Sequence, residues 1–101
     1  MSTAAVQLAE PGVLSLSGVL DYRSGPALRK EGKALIGSSS APVLVLDCSA
    51  VEKSSSVGLS LLLAFMRDAQ AVGKSFEVRA MPHDMREIAG VYDLDEVLAG
   101  Q

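Results

Sequence analysis

The 101-residue sequence predicts an α/β domain in which helices pack on a mixed sheet of four to five strands. Residues 43–46 form an uninterrupted apolar run, VLVL, which is typical of a central strand with packing layers on both faces. A helix-length apolar segment, VGLSLLLAFMRDAQAVG, follows it after a short interval. Other short runs alternate apolar with polar residues, as strands with one exposed face do.

The N-terminal part predicts a β-hairpin. Residues 6–8 and 14–16 each alternate apolar and polar side chains. Pro11 and Gly12 lie between them and predict a turn. We expect the chain to leave the sheet after Gly18, through the segment VLDYRS.

The next segment predicts a helix. Ser24 is a suitable N-cap, Pro26 is tolerated in the first turn, and Gly37 predicts the end of the helix. The residues that fall on one side of this helix, and that we expect to face inward, are Leu28, Gly32, Leu35 and Ile36.

A polar stretch, VEKSSS at residues 51–56, predicts a loop between the central strand and the long apolar helix. Gly73 predicts the end of that helix. The inward stripe of the helix is predicted to consist of Leu62, Phe65, Met66, Ala69 and Val72.

The C-terminal part predicts a fourth strand at residues 75–80 and a third helix that Pro82 opens. Asp93, with Glu96 three positions later, resembles a capping box for a short last helix at residues 94–98. The order is then ββαβαβαα in a single domain of residues 1–101. Because strand–helix–strand units use right-handed crossovers, we expect the later strands to be parallel and the hairpin antiparallel.

Composition and charge exclude several classes of function. The net charge is −3 and the basic residues are scattered, whereas a nucleic-acid-binding domain needs a cationic surface. Cys48 is the only cysteine, so we expect no intrachain disulfide and no cysteine-rich metal site. We also expect no cofactor. The N-terminus does not resemble a secretion signal, and no apolar segment is long enough to cross a bilayer. We therefore expect a cytoplasmic protein that reaches a membrane only through a partner.

Few residues suggest catalysis. Asp47 at the end of the central strand and Asp21 after the second strand could share a rim, as a general acid–base pair does. Cys48 is more typical of a buried core thiol than of a nucleophile, and His83 has no partner that the sequence assigns. Glycine-rich phosphate loops, H-E-x-x-H and G-x-S-x-G are absent. We predict no catalytic residues and no metal site; a small enzyme that depends on Asp47, His83 or Cys48 is the disfavoured alternative.

The serines before the long helix are the first functional candidates. Ser55 or Ser56 lies where an N-cap belongs, so its hydroxyl can accept a hydrogen bond from a backbone N–H two or three residues on. Capping alone is one explanation. A helix N-terminus also favours negative charge, so a phosphate, which adds a charge of about −1.5 to −2, would be tolerated here. Without modification, the hydroxyl could contact a partner.

The helix itself is the second candidate, because its first turns are apolar on nearly every side. Leu59 and Leu63 share a side that the inward stripe leaves uncovered. Either a neighbouring helix covers these leucines, or they form an exposed apolar patch that binds protein.

Three segments resemble the STAS domain family, which is named after sulfate transporters and anti-sigma factor antagonists. They are LSLSGVLDYRSGPAL, VLVLDCSAVEKSSSVGLSLLL and MPHDMREIAGVYDLDEVL, within about residues 13–98. The family pattern of an acidic residue, Ser or Thr, any residue and Gly-Leu corresponds to residues 55–59. Gly58 and Leu59 match it, and Ser55 stands in place of the acidic residue. The resemblance implies that Ser56 is the hydroxyl that is phosphorylated or contacts a partner.

Within the family, a stand-alone domain with a leucine-rich helix is most similar to the MlaB subfamily, the cytoplasmic accessory subunits of Mla phospholipid ABC transporters. This resemblance implies a non-catalytic subunit, peripheral to the inner membrane, that binds an MlaF-like ATPase subunit and supports its assembly and activity in maintaining outer-membrane lipid asymmetry. The implied partner-binding residues are Ser55, Ser56, Gly58, Leu59 and Leu63. The alternative is an anti-sigma factor antagonist that phosphorylation of Ser56 regulates.

Overall fold

The computed structural model describes residues 4–91. The described part contains four strands and three helices in the predicted order. These elements are β1 (Ala5–Glu10), β2 (Val13–Leu20), α1 (Gly25–Ser38), β3 (Val43–Ser54), α2 (Ser56–Ala71), β4 (Ser75–Arg79) and α3 (His83–Val91). The short helix predicted at residues 94–98 lies outside the described residues.

The strands form one mixed sheet in the order β1-β2-β3-β4. β1 and β2 pair antiparallel, whereas β2 with β3 and β3 with β4 pair parallel. The predicted hairpin, the predicted parallel strands and the α/β class with a mixed sheet are therefore confirmed. Because α1 and α2 are the crossover connections, the end of β2 and the end of β3 lie at the same edge of the sheet, where each of these helices begins.

Helices cover one face of the sheet in the described part of the chain. Alternate residues of β2 and β3 are fully buried against them, including Leu14, Leu16, Leu44 and Leu46. The other face is more open, since Val43 is 43% exposed and Val45 is half-buried. The prediction of packing layers on both faces of β3 is wrong for residues 4–91. An uninterrupted apolar run specifies a strand, but it does not specify that both faces are covered.

Both central strands are longer than predicted. β2 continues past Gly18 to Leu20, and β3 continues through residues 51–54, of which the last three are polar, and pairs there with the end of β2. The register between them shifts next to Gly18, whose φ is 87°. A glycine accepts this left-handed conformation without a Cβ clash, which is why it suits a bulge. The prediction of a loop at residues 51–56 is therefore wrong for most of its length.

α1 and α2 are packed at very close range. The predicted inward residues of α1 are confirmed, with Leu28, Gly32 and Ile36 buried and Leu35 half-buried. An added Cβ at Gly32 would lie only 2.3 Å from the ring of Phe65 on α2. Ser24 is the N-cap residue, as predicted, but its hydroxyl donates to the carbonyl oxygen of Val19 instead of capping the helix.

α2 ends where the sequence predicts. Gly73 has a φ of 75°, and its N–H donates to the carbonyl oxygen of Gln70, as in a glycine-terminated helix. Most of the predicted inward stripe is buried, but Val72 is 50% exposed because the helix has already ended at Ala71. No helix in residues 4–91 combines the length and apolarity that crossing a membrane requires.

Candidate functional site

Ser55 is the N-cap of α2. Its hydroxyl accepts a hydrogen bond from the backbone N–H of Val57 at 3.2 Å and donates to the carbonyl oxygen of Leu20 at 3.3 Å. The backbone N–H of Ser55 donates to the same Leu20 oxygen at 2.9 Å. These bonds hold the start of α2 against the end of β2, so the Ser55 hydroxyl is engaged within the protein. Serine and aspartate are comparable N-caps, which explains how serine can replace an acidic residue here.

Ser56 is the first residue of α2, and it is exposed. Among residues 4–91, no hydrogen bond to its hydroxyl is found, although its carbonyl oxygen accepts one from the Ser60 hydroxyl at 3.3 Å. The positive end of the α2 dipole lies at this position. The two serines thus differ in role: Ser55 builds the start of the helix, and the Ser56 hydroxyl is available to solvent or to a partner.

Gly58 and Leu59 lie beneath this surface. An added Cβ at Gly58 would lie 2.0 Å from the hydroxyl oxygen of Ser54 and 3.1 Å from atoms of both Leu20 and Met85. Glycine therefore allows three parts of the chain to converge on the first turn of α2. They are β2, α3 and residues 54–56, here called the serine segment. Leu59 is only 4% exposed. Of the two alternatives for Leu59, coverage by neighbouring helices is the one found, and an exposed patch that contains Leu59 is excluded, because α2 packs against α1 and α3 as well as against the sheet.

The surface of α2 instead carries a row of residues, here called the α2 outer face: Ser56, Ser60, Leu63 and Arg67. Their spacing of four, three and four positions places them on one side of the helix. Ser56, Ser60 and Arg67 are exposed, whereas Leu63 is half-buried and also packs against the core. The row extends about 16 Å at 1.5 Å per residue. Of the residues predicted to bind a partner, Ser56 and Leu63 therefore share an accessible face.

A groove of about 440 Å³ lies between α2 and the start of α1, and we call it the α1–α2 groove. Its surface is mostly apolar, and it begins at Val57, directly after Ser56. The residues that line it are Tyr22, Gly25, Pro26, Arg29, Val57, Ser60, Leu61, Ala64 and Arg67. Ser60 and Arg67 belong to both the groove and the α2 outer face, so the two form one continuous surface. Sequence analysis missed this groove because residues more than thirty positions apart build it.

The charged groups of the groove are both arginines. The guanidinium of Arg29 forms two hydrogen bonds with the carboxylate of Asp68, at 2.5 and 3.1 Å, which tie α1 to α2. Arg67 is exposed and forms no ion pair with another residue of the described part of the chain. Nearby, the guanidinium of Arg23 lies 5.8 Å from the ring centre of Tyr22. The groove is therefore apolar with a basic rim, although the whole chain is acidic.

Asp84 joins α3 to the serine segment, a contact that sequence analysis did not find. One carboxylate oxygen accepts a hydrogen bond from the backbone N–H of Ser54 at 3.2 Å, and the other accepts from the N–H of Met85 at 3.0 Å. The hydroxyl of buried Ser54 donates to the carbonyl oxygen of Ser55 at 2.8 Å. Asp84 lies 30 positions after Ser54 in the chain, so no local pattern in the sequence indicates this contact.

The residues considered for catalysis are not brought together. Cys48 is buried, and burial, with a smaller contribution from the negative charge of Asp47, raises the pKa of its thiol to about 12. A thiol with that pKa is neutral at physiological pH and is a poor nucleophile. The side chain of His83 is 88% exposed and pairs with Glu87 at 2.7 Å on the surface of α3. It therefore cannot contact the buried thiol.

Asp21 and Asp47 are also far apart. Asp47 lies opposite Ser15 in the sheet, six residues before Asp21, which corresponds to roughly 20 Å at 3.3 Å per residue. The backbone N–H of Ser49 is the main cause of a lowered pKa at Asp47, and the backbone N–H of Arg23 is the main cause at Asp21. Both carboxylates are ionised at neutral pH, whereas a general acid needs a raised pKa. The expectation that they share a rim is wrong.

A metal site is not found in the described residues. Within residues 4–91, no three side chains of His, Cys, Asp or Glu lie close enough to hold a metal ion. The accessible chemistry of the surface described above consists of hydroxyl, apolar and guanidinium groups, which are suited to binding.

Comparison with known proteins identifies relatives of this chain. A family model described as "Mlab, STAS domain" matches residues 4–99. An anti-sigma factor antagonist from Mycobacterium paratuberculosis is 33% identical, and the match covers 97% of this chain and 83% of that one with a TM-score of 0.76.

Two more distant structures share the fold. A chain of the Acinetobacter MlaFEDB complex in an ATP-bound conformation is 21% identical, with a TM-score of 0.81 over 93% of this chain and 96% of that one. The phosphorylated form of SpoIIAA, a Bacillus cell fate determinant, is 18% identical, with a TM-score of 0.65 over 91% and 85% of the two chains.

Proposed function

The chain belongs to the STAS domain family, and from this premise we propose that it is a non-catalytic subunit of an Mla-type phospholipid ABC transporter. In this role it binds the ATPase subunit and supports its assembly and activity in maintaining outer-membrane lipid asymmetry. The observation that carries the proposal is the exposed hydroxyl of Ser56 at the start of α2, which has no hydrogen-bond partner among residues 4–91 and lies beside an apolar groove.

The geometry is suited to binding a protein segment. The α2 outer face and the α1–α2 groove together present a hydroxyl, the half-buried Leu63 and an apolar cleft on rigid helices. A partner helix that places apolar side chains in such a cleft gains affinity from burial, and polar groups at the rim fix its orientation. Ser55, Gly58 and Leu59 contribute indirectly, because they build and support the surface on which Ser56 lies.

The comparisons support the transporter role in two ways. The family model that matches nearly the whole chain is the MlaB-type STAS domain. The fold also matches a chain of the MlaFEDB complex over almost the full length of both chains. We propose that the protein is cytoplasmic and associates with the inner membrane through its partner.

Affinity purification tests this proposal. The tagged protein is purified from its own cells after mild detergent extraction, and the associated proteins are identified by mass spectrometry. We expect enrichment of an ABC ATPase together with its membrane subunits, and we expect less assembled transporter in cells that lack the protein. Absence of the ATPase from the purified material, with normal transporter assembly in the deletion strain, would contradict the proposal.

The second candidate is an anti-sigma factor antagonist. The 33% identity with the anti-sigma factor antagonist from Mycobacterium paratuberculosis favours this candidate. The exposed Ser56 hydroxyl at a helix N-terminus would also accommodate a phosphate, because the helix dipole and its amides favour negative charge.

The two candidates differ in the modification state of Ser56. An antagonist controlled by phosphorylation carries phosphoserine at Ser56 under one growth condition and captures a kinase-like anti-sigma factor. Intact-mass measurement and fragmentation of the protein from resting and growing cells check this prediction. Recovery of unmodified Ser56 in all conditions, with an ABC ATPase as the captured protein, would exclude the antagonist and support the transporter subunit.

A further inference from the structure

The rim of the α1–α2 groove carries one positive charge, that of Arg67, that forms no ion pair among residues 4–91. Two arginines line the groove, and none of its described lining residues is acidic. Arg29 is already bound to Asp68 through two hydrogen bonds, which neutralise it and fix its position. Arg67 lies one residue before Asp68 on α2, is exposed, and has no carboxylate within ion-pairing distance among residues 4–91.

We propose that Arg67 binds a carboxylate of the partner, so that the α1–α2 groove selects an amphipathic helix of the ATPase subunit that carries Asp or Glu beside its apolar face. This inference rests on the proposed function, since the ATPase subunit is the occupant to which it commits. Arginine is suited to the role because its planar guanidinium can form two parallel hydrogen bonds with one carboxylate.

Position and surroundings favour such a contact. Arg67 belongs both to the groove and to the α2 outer face, about 16 Å from Ser56 along the helix axis. A partner helix lying in the groove would thus meet the Ser56 hydroxyl at one end and the Arg67 guanidinium at the other, with Leu61 and Ala64 between them. A carboxylate at that end sets both the direction and the register of the helix, since the opposite orientation leaves Arg67 unpaired.

Charge complementarity also selects against wrong partners. The chain has a net charge of −3, so long-range electrostatics does not attract an acidic protein to it. The basic rim is a local region of positive charge on this acidic protein. Only a partner whose acidic residue docks beside Arg67 is stabilised by it. Arg67 is therefore a specificity-determining residue, whereas Arg29 mainly joins α1 to α2.

Binding measurements with charge variants test this inference. The purified ATPase subunit of the organism's own Mla-type transporter is titrated with the wild-type protein, Arg67→Glu, Arg67→Gln and the control Lys30→Glu. Lys30 is exposed on α1 but does not line the groove, so Lys30→Glu makes the same change in net charge away from the groove. We expect Arg67→Glu to weaken binding by at least about tenfold, because it places like charges together, and Arg67→Gln to weaken it less.

Two further measurements separate a partner contact from a structural effect. Thermal unfolding of Arg67→Glu should match that of the wild type, because the side chain is exposed. Wild-type affinity should fall with added salt, and Arg67→Gln should reduce this dependence. Equal affinity of Arg67→Glu and Lys30→Glu for the ATPase would overturn the role of Arg67 and leave the proposed function intact. Failure of the wild-type protein to bind the ATPase would overturn both.

Discussion

Ser55 and Ser56 are chemically identical neighbours with different surroundings. The sequence indicates that one of them caps α2, but it does not decide between them, because either serine can occupy the N-cap position. The decision depends on the carbonyl oxygen of Leu20, which lies 35 positions before Ser55 in the chain and accepts hydrogen bonds from it. A long-range contact of this kind leaves no local pattern, so the residues alone left the cap open between the two serines, and only the resemblance to the STAS family singled out Ser56 as the functional hydroxyl.

Substitution of each serine by alanine separates the two roles. Ser55→Ala removes the cap and should lower the free energy of unfolding by about 1 kcal/mol, whereas Ser56→Ala should leave it almost unchanged. Urea unfolding of both variants measures this difference. Equal destabilisation by the two substitutions would show that the assignment of the cap to Ser55 is wrong.

Cys48 provides a second prediction at the residue scale. Burial raises the pKa of its thiol from the ordinary value of 9.0 to about 12. The unfolded protein therefore releases the thiol proton before the folded protein does, and the stability that the neutral thiol contributes is complete below pH 9.0 and lost as the pH rises toward 12.

Two measurements check the Cys48 prediction. The thiol should resist a chromogenic disulfide reagent in the native protein and react at once in denaturant. The unfolding free energy of the wild type should also fall more steeply above pH 9.0 than that of Cys48→Ala, in which the titrating group is absent. Rapid native reaction at neutral pH would contradict the buried, neutral state of the thiol.

Among the elements, α1 and α2 pack closely against each other. Gly32 leaves no room for a methyl group, since its Cβ would lie 2.3 Å from the Phe65 ring. Gly32→Ala should therefore lower the free energy of unfolding by about 1–3 kcal/mol, despite the better helix propensity of alanine. The α1–α2 groove should widen or shift in this variant, so partner binding should weaken as well.

Gly37 is the matched control for this substitution. It lies in the same helix, but within residues 4–91 no atom apart from its chain neighbours and the nearby helix backbone lies within 4 Å of its added Cβ. Gly37→Ala should be neutral or should stabilise the protein by up to about 1 kcal/mol, because alanine is the better helix former. Thermal and urea unfolding should therefore show a loss of stability for Gly32→Ala and no loss for Gly37→Ala. A loss of stability in both variants would show that backbone effects, and not contact with Phe65, cause the destabilisation by Gly32→Ala.

The elements also show where sequence patterns are sufficient and where they fail. The hairpin, the helices and the end of α2 at Gly73 follow from alternation, helical periodicity and glycine, all of which are local signals. The polar second half of β3 was predicted as a loop, because its residues lack an apolar pattern. It is a strand because the end of β2 pairs with it, beyond a register shift at Gly18. Tertiary pairing overrides local preference at this edge of the sheet.

For the whole molecule, the order of elements determined the topology. Two right-handed crossovers after a hairpin leave few arrangements of four strands, and the observed order β1-β2-β3-β4 is one of them. The surface could not be predicted in the same way. The groove depends on the close approach of α1 and α2, and on an ion pair between Arg29 and Asp68, residues that are 39 positions apart. The sequence left open whether Leu59 is covered or exposed, because periodicity alone does not reveal how many neighbours a helix has.

The most direct test of the central claim is the affinity of the purified protein for the ATPase subunit of an Mla-type transporter, measured for the wild type, Ser56→Glu and Ser40→Glu. A glutamate at the start of α2 is compatible with the helix dipole, so Ser56→Glu should fold normally. Ser40 provides the matched control. It is exposed in the connection that precedes β3, whereas Ser56 follows the other end of that strand. The account predicts that Ser56→Glu binds at least about tenfold more weakly while Ser40→Glu binds like the wild type. Wild-type affinity in Ser56→Glu would contradict it.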